Sequence, residues 1–184
     1  MNQVLETIKN RFSCRSYKSL PVEQEKLEAL AKAALQAPSA LNKQPWEIRI
    51  ITDKTLIDEL DIAAVKYLEK QEDKTMYNRI AERGGKVYYN APVMFLILKA
   101  KEAYGRPDVD CGILVQNIAL AAASLNLDSV IVAMGRLPFI ENEDYKKRVN
   151  WSEDYEFGTG ILVGYGDKKQ PPHEIDLSKV QYIE

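Results

Sequence analysis

Histidine is almost absent from this chain of 184 residues, which contains one, His173, after two prolines near the carboxyl end. A Ser-His-Asp or Cys-His enzyme would have to use that single imidazole, and a zinc site would need cysteines or carboxylates instead. Both classes of enzyme are therefore disfavoured. If the chain catalyses a reaction, we expect an external cofactor to carry the chemistry.

Cysteine and long apolar runs are also scarce. Cys14 and Cys111 lie far apart without metal-ligand spacing, so we interpret them as reduced thiols and predict a cytoplasmic location. No apolar run approaches the roughly 20 residues of a membrane helix, and the first residues lack the apolar block of a signal peptide. The net charge of -2 predicts neither a nucleic-acid nor a membrane partner.

The glycine-rich segment FGTGILVGYG at residues 157–166 lacks the G-x-G-x-x-G spacing of a dinucleotide site. No helix is predicted after it, although that motif needs a helix N-terminus to receive the pyrophosphate. We therefore interpret these glycines as positions of close backbone packing or strand bending.

The apolar pattern predicts a single α+β domain over residues 1–184, because helices and strands mix without strict alternation. The polar segment 69–86 is either an exposed helix or a mobile cover. The predicted helices cover residues 4–12, 21–35, 53–68 and 107–125, and the predicted strands cover residues 46–52, 91–98, 129–134 and 157–166.

The predicted helix 107–125 is apolar around nearly its whole circumference, which indicates burial at the centre of a larger body. In a domain of this size a second subunit is one way to bury it. A central position within one monomer is the alternative.

Two short segments carry the polar residues that point to a ligand. In RFSCR, Arg11, Ser13 and Arg15 alternate, so in extended chain they project to one face and suit a phosphate or another planar anion. In PSALNKQPW, Asn42 offers both a donor and an acceptor, which suits the edge of a flavin or pyrimidine. The alternatives are a solvated basic loop and an Asx-type turn that starts a strand.

These segments occur in order with the apolar APVMFLIL strand, the long Ala-rich helix and the terminal GILVGYG strand. On these features the chain resembles the nitroreductase family of FMN-dependent NAD(P)H oxidoreductases, in particular its shorter members, over nearly its whole length. The resemblance implies an α+β fold with a central mixed sheet flanked by helices. It also implies an intertwined homodimer with FMN at the interface and a C-terminal tail that wraps onto the partner.

The resemblance also implies a role for each candidate residue. Arg11 and Ser13 would bind the FMN phosphate, and Arg15 would face the pyrimidine side of the ring. One subunit would supply a turn to the other's cofactor, and a later segment would lie along the ring with a backbone N–H near its reactive nitrogen. Arg15 and Gly135 would tune the flavin. The candidate cofactor-binding residues are Arg11, Phe12, Ser13, Arg15, Pro38, Ser39, Ala40, Asn42, Met134, Gly135, Arg136, Lys168 and Lys169.

One departure concerns the phosphate site. Family members usually carry an arginine shortly after the last glycine-rich strand, whereas this chain has GDKKQPPHEIDLSK there. Lys168 and Lys169 are the candidates to replace it, with His173 as a possible helper. Either lysine would provide a point charge without the bidentate fork of arginine.

The implied activity is transfer of hydride from NADH or NADPH to FMN, followed by reduction of a small planar aromatic acceptor such as a nitroaromatic, a quinone or a flavin. Use of one site in alternation predicts ping-pong kinetics. The alternatives are a non-catalytic FMN carrier or sensor, dehalogenating or flavin-fragmenting chemistry on the same fold, and a structural dimer without cofactor.

Overall fold

The structure, a computed structural model, describes residues 2–184 of the chain. Its helices are α1 (Gln3–Asn10), α2 (Gln24–Leu35), α3 (Lys54–Lys70), α4 (Thr75–Ala81), α5 (Pro107–Ser124) and α6 (Glu143–Arg148). Its strands are β1 (Trp46–Ile51), β2 (Val93–Ala100), β3 (Asp128–Ile131) and β4 (Tyr155–Gly164). Short 3₁₀ helices cover Ala40–Asn42, Ala133–Phe139 and Leu177–Lys179.

The four strands form one sheet in the order β1-β2-β4-β3, and every neighbouring pair is antiparallel. The predicted α+β class is confirmed, but the predicted mixed sheet is antiparallel in its four strands. Parallel pairing occurs at an isolated bridge between Ser13 and Ser129, where the segment after α1 runs beside β3. That bridge is too short to count as a fifth strand.

The sheet separates two apolar cores. On β2, Met94, Leu96 and Leu98 face a core that includes α3, whereas Val93, Phe95 and Ile97 face a core built with α2 and α5. This division follows from the two-residue period of a strand. The prediction that the APVMFLIL run is buried on both faces is therefore confirmed.

Helix α5 packs on α2 and on the sheet, and one side of it, including Leu114 and Ile118, is fully buried. Other apolar side chains remain at the surface, since Val109 is 49% exposed and Ile113 is 36% exposed. Packing within one chain thus accounts for part of the apolar circumference. That a second subunit buries the remaining apolar side chains of α5 stays a prediction.

Two boundaries need correction, and the segment 69–86 can be described in more detail. Helix α2 begins at Gln24 with Glu23 as its N-cap, so Pro21 does not occupy its first position. The strand predicted for residues 129–134 ends at Ile131, because the chain turns into a 3₁₀ helix at Ala133. The segment 69–86 contains the end of α3, the short helix α4 and a turn with Gly84 and Gly85 at positive φ.

The carboxyl-terminal segment from residue 167 onward lies on the surface of this chain, with His173 exposed. Within residues 2–184, no helix combines the length and the hydropathy needed to cross a membrane.

Candidate functional site

The RFSCR segment lies against the start of β3. The backbone N–H of Cys14 donates to the carbonyl of Ser129 at 2.9 Å, and Ser13 forms the parallel bridge to the same residue. Cys14 points into the core and is 1% exposed. Because side chains alternate in extended chain, Ser13 and Arg15 then project outward.

Neither cysteine is placed for nucleophilic chemistry. Burial raises the pKa of the Cys14 thiol, whose Sγ donates to the carbonyl of Ser16 at 3.1 Å. Burial likewise raises the pKa of Cys111 to about 11. Both side chains are therefore neutral thiols at pH 7.

A pocket of about 280 Å³ opens beside this segment. It brings together two of the predicted basic residues, Arg11 and Lys169, with Phe12 between the end of α5 and the start of β3. The Arg11 guanidinium forms no ion pair or hydrogen bond within residues 2–184. The remaining lining residues are Asn10, Ala119, Ala123, Asn126, Leu127, Asp128, Ser129, Gln170 and Pro172.

Lys169, and not Lys168, lines this pocket. Its Nζ lies 2.8 Å and 3.0 Å from the two carboxylate oxygens of Asp128, and 5.6 Å from the ring centre of Phe12. The Asp128 carboxylate also accepts from the backbone N–H of Gly166 at 3.1 Å. Lys168 is exposed and forms no ion pair with the described residues. The structure thus distinguishes two lysines that the sequence left equivalent.

The segment Met134-Gly135-Arg136 follows β3 in a 3₁₀ helix, with Gly135 buried and Arg136 exposed. The Gly135 N–H donates to the carbonyl of Val132 at 3.2 Å. A Cβ at Gly135 would lie 3.1 Å from the terminal methyl of Met94, so the backbone there fits a narrow slot. Ser129, which lines the pocket, and Val132, whose carbonyl accepts from the Gly135 N–H, are three positions apart, which corresponds to about 10 Å of extended chain.

Arg15 lies on the same stretch as Arg11, two residues after Ser13. Its guanidinium is exposed, and its Nη1 donates to the carbonyl of Ser13 at 3.3 Å. A ligand that contacts both Arg11 and the Gly135 segment would have to be elongated, with its anionic end at Arg11.

The 38–44 turn closes on itself. Ser39 Oγ accepts from the backbone N–H of Gln44 at 2.8 Å, and Gln44 Nε2 donates to Asn42 Oδ1 at 3.1 Å. Leu41, Asn42 and Gln44 have φ values of 51°, 53° and 48°, which keeps the turn tight and its polar groups at the surface. The Asx-type alternative is not met, because Asn42 Oδ1 accepts from the Gln44 side chain and not from a backbone N–H. The amide nitrogen of Asn42 has no partner among residues 2–184.

The structure does not bring this turn to the Arg11 pocket of the same chain. A Cβ at Gly105, just before α5, would lie 2.9 Å from the Cβ of Ala40. The pocket instead touches Ala119 and Ala123, near the end of α5. At 1.5 Å per residue, these two places are about 20–25 Å apart along the helix. Pro38, Ser39, Ala40 and Asn42 are thus separated from Arg11, Phe12, Ser13 and Lys169.

Two acidic residues of this region were missed in the sequence. Asp128 begins β3, and its pairing with Lys169 depends on contacts that no local pattern reveals. Asp61 lies on the buried face of α3 at 2% exposure, where Oδ1 accepts from the backbone N–H groups of Val87 and Tyr88 at 2.7 Å and 2.9 Å. A carboxylate among the apolar positions of α3 was the available signal for Asp61.

The family model described as the nitroreductase family matches residues 8–165 of this chain. The chain belongs to the nitroreductase family. A family structure from Desulfitobacterium hafniense DCB-2, described as a nitroreductase with bound FMN, is 40% identical with a TM-score of 0.95, and each chain covers 100% of the other. The antiparallel sheet and surrounding helices are therefore those of known family members.

Two curated relatives extend this comparison. A protein of Methanothermobacter thermautotrophicus with the provisional name NADH dehydrogenase/NAD(P)H nitroreductase is 31% identical over 130 residues, which is 69% of this chain and 59% of that protein. An iodotyrosine deiodinase of Thermotoga neapolitana is 23% identical over 99% of this chain and 98% of its own. Membership in the nitroreductase family confirms the predicted family, the fold class and the prediction of an oxidoreductase enzyme.

Proposed function

We propose that the chain binds FMN with its phosphate at Arg11 and its ring along residues 134–136, and that it passes electrons from NADH or NADPH to a small planar aromatic acceptor. The cofactor of this oxidoreductase is FMN, and NAD(P)H is its electron donor; FMN is named in the related structure, and NAD(P)H is named for the archaeal relative. When bound, the isoalloxazine ring supplies the hydride-transfer chemistry. The single observation that carries the proposed placement is the Arg11 guanidinium, which has no partner in residues 2–184 and lines a pocket with Ser129, about 10 Å along the chain from Val132.

The pocket residues suit a phosphate. Arg11 offers a planar fork for two parallel hydrogen bonds, and Ser13, beside Ser129, adds a small donor. Lys169 adds a second positive charge, and its side chain is 72% exposed, so it can turn from Asp128 toward a bound anion. Asp128 then limits the positive charge of the pocket when no anion is bound, because it pairs with the ammonium.

At the ring end of the site, Arg15 would supply a positive charge and Gly135 would let the backbone approach the ring. Arg15 extends from the same stretch as Arg11 and would lie at the pyrimidine side, where reduction adds negative charge to the ring. A fixed positive charge there favours the reduced cofactor. Gly135, in its slot, allows a backbone segment to lie flat against the ring, and Met134 and Arg136 flank it.

The separation of the two groups of candidate residues supports a homodimer with FMN at the interface. Because the 38–44 turn lies at the opposite end of α5 from the Arg11 pocket, a second copy would supply Pro38, Ser39, Ala40 and Asn42 to that pocket. Apolar surface fits this assembly: Val4 and Leu5 of α1 are 62% and 55% exposed, and Tyr182 and Ile183 of the tail are 88% and 83% exposed. Exposed apolar patches on a folded chain often mark protein–protein interaction sites.

One exposed face of the bound ring would serve the donor and the acceptor in turn. NAD(P)H binds, gives its hydride and leaves, and a nitroaromatic, quinone or flavin then occupies the same face, which gives ping-pong kinetics. We place this cycle in the cytoplasm. A non-catalytic carrier or sensor is the second candidate, and the similarity to a deiodinase keeps dehalogenation as a third.

The test is anaerobic mixing of the FMN-loaded protein with NADH and, separately, with NADPH. We expect the oxidised flavin spectrum to bleach within the dead time of mixing or within seconds. The spectrum should return on addition of a nitroaromatic or quinone. A stable oxidised spectrum with both nucleotides would support the carrier instead. Parallel lines in double-reciprocal plots at several acceptor concentrations would support the ping-pong order.

A further inference from the structure

One buried phenol connects the protein core to the segment proposed to lie beside the ring. Tyr88 is fully buried, and its hydroxyl donates to the carbonyl of Gly135 at 3.3 Å. That distance is long for a hydroxyl-to-carbonyl bond, but the hydroxyl has no other acceptor within residues 2–184. Breaking the bond would leave a polar group unsatisfied in the core.

The backbone of Tyr88 is itself fixed at both of its polar groups. Its N–H donates to Asp61 Oδ1 at 2.9 Å, and its carbonyl accepts from the N–H of Ala91 at 2.9 Å. Asp61 also accepts from the N–H of Val87 at 2.7 Å and lies 3.6 Å from Lys86 Nζ. A carboxylate on α3 thus determines where the phenol ring enters the core.

The phenol remains a donor across the physiological pH range. Burial, and then the negative charge of Asp61, raise the pKa of Tyr88 well above its usual value. The hydroxyl therefore stays protonated. On the other side of the bond, Met94 and Phe157 enclose Gly135, since a Cβ there would lie 3.1 Å and 3.4 Å from their side chains. The carbonyl has little freedom to find another donor.

We propose that Tyr88 is a positioning residue for the redox reaction: its hydroxyl, oriented from Asp61, fixes the Gly135 carbonyl and with it the 134–136 segment beside the ring. The inference rests on the proposed function, because it assumes that this segment contacts the cofactor. A hydrogen bond at a carbonyl also polarises its amide, so Tyr88 strengthens the adjoining Arg136 N–H as a donor toward a ligand.

The decisive variant is Tyr88→Phe, which keeps the ring and removes the hydroxyl. We expect the rate of flavin reduction by saturating NADH or NADPH under anaerobic conditions to fall about three- to ten-fold. The dissociation constant for FMN should stay within about two-fold of the parent, because Tyr88 is not among the residues that line the phosphate pocket. A small change in reduction rate without a change in cofactor affinity is the signature of a lost positioning contact.

The matched control is Tyr17→Phe. Tyr17 is 5% exposed, and its hydroxyl donates to the carbonyl of Leu162 at 3.4 Å, a bond of the same kind. We expect this variant to lose similar thermal stability and to be reduced at the parental rate. A second pair tests the anchor: Asp61→Ala removes the acceptor for two N–H groups and should slow reduction, whereas Asp61→Asn keeps an oxygen acceptor and should slow it less.

The outcomes separate this inference from the function on which it rests. If the parent protein is not reduced by either nucleotide, the proposed function fails and the inference falls with it. If the parent is reduced and Tyr88→Phe matches it, or if Tyr17→Phe is slowed equally, Tyr88 has only a structural role. Loss of FMN affinity in step with the reduction rate would overturn the proposal in the same way.

Discussion

The two ends of α5 carry the two groups of candidate residues, and they are built in different ways. At the carboxyl end, the Arg11 pocket joins segments from the start, middle and end of the chain, and its Arg11 guanidinium has no partner within residues 2–184. At the amino end, the 38–44 turn satisfies most of its hydrogen bonds internally. The first end therefore leaves a cation available to a ligand, whereas the second is a closed turn at the surface.

The largest expected effect is at the pocket end. Arg11→Ala removes a charge-assisted contact worth about 1.5–3 kcal/mol, so the dissociation constant for FMN should rise about ten- to a hundred-fold. Flavin fluorescence quenching or ultrafiltration measures it. Arg83→Ala removes an exposed arginine from the α4 region and should bind like the parent. Equal affinity of Arg11→Ala and the parent would show that the phosphate lies elsewhere.

The two neighbouring lysines sharpen the same comparison. Lys169→Ala removes a pocket cation and leaves Asp128 without its ion-pair partner, so FMN should bind about ten-fold more weakly. The loss of affinity should be larger at low salt, where charges are less screened. Lys168→Ala is the matched control, because it changes the same charge one position away and outside the pocket lining. Similar effects of the two substitutions would mean that only net charge matters here.

At the turn end, Asn42→Gly keeps the positive φ and removes the side-chain amide. We expect FMN binding to weaken about three-fold, with Lys43→Ala unchanged. If the turn serves the other subunit, mixed dimers of Asn42→Gly and Arg11→Ala contain some fully native sites, and refolding the two together should restore part of the tight binding. If light scattering shows dimers and tight FMN binding is still not restored, the proposal that two chains build one site is wrong.

The smallest expected effect lies outside both ends of α5, at Asp61 of α3 in the core on the other face of the sheet. Burial raises the pKa of Asp61 above its ordinary value of 3.8. The folded chain therefore holds this proton to higher pH than the unfolded chain, so its contribution to stability falls as pH rises from about 4 until the folded group has ionised. Asp61→Asn lacks that loss, and its unfolding free energy relative to the parent should rise over the same range. A flat difference in urea titrations from pH 4 to 7 would contradict this, and FMN affinity should not change.

The fold could be predicted from the sequence wherever a single hydrophobic periodicity dominated. The unbroken apolar run of β2 predicted burial on two faces, and the long Ala-rich pattern predicted α5 within one residue of its observed end. Boundaries failed where local geometry overrode the pattern, as at Pro21 before α2 and at the turn after Ile131. The mixed sheet came from family resemblance and not from residues, and the strand pairing corrected it.

The arrangement of the candidate residues could not be predicted from the sequence, and their roles stay predictions. Alternation in RFSCR indicated an outward-facing set, yet only the fold separates Lys169 from Lys168, since both sit in one exposed polar run. The contacts of Asp128 and Tyr88 could not be predicted, because their partners lie far away in sequence. Local patterns report which face a side chain takes, and they carry no information on which distant segment meets it.

The bridge between Ser13 and Ser129 has a consequence for how the protein matures. Position 13 leaves the ribosome early but cannot dock until β3 and its neighbour β4 exist, and Lys169 arrives later still. Apoprotein should accordingly loosen first at its amino terminus, and supplying the cofactor during synthesis should protect that terminus from proteolysis.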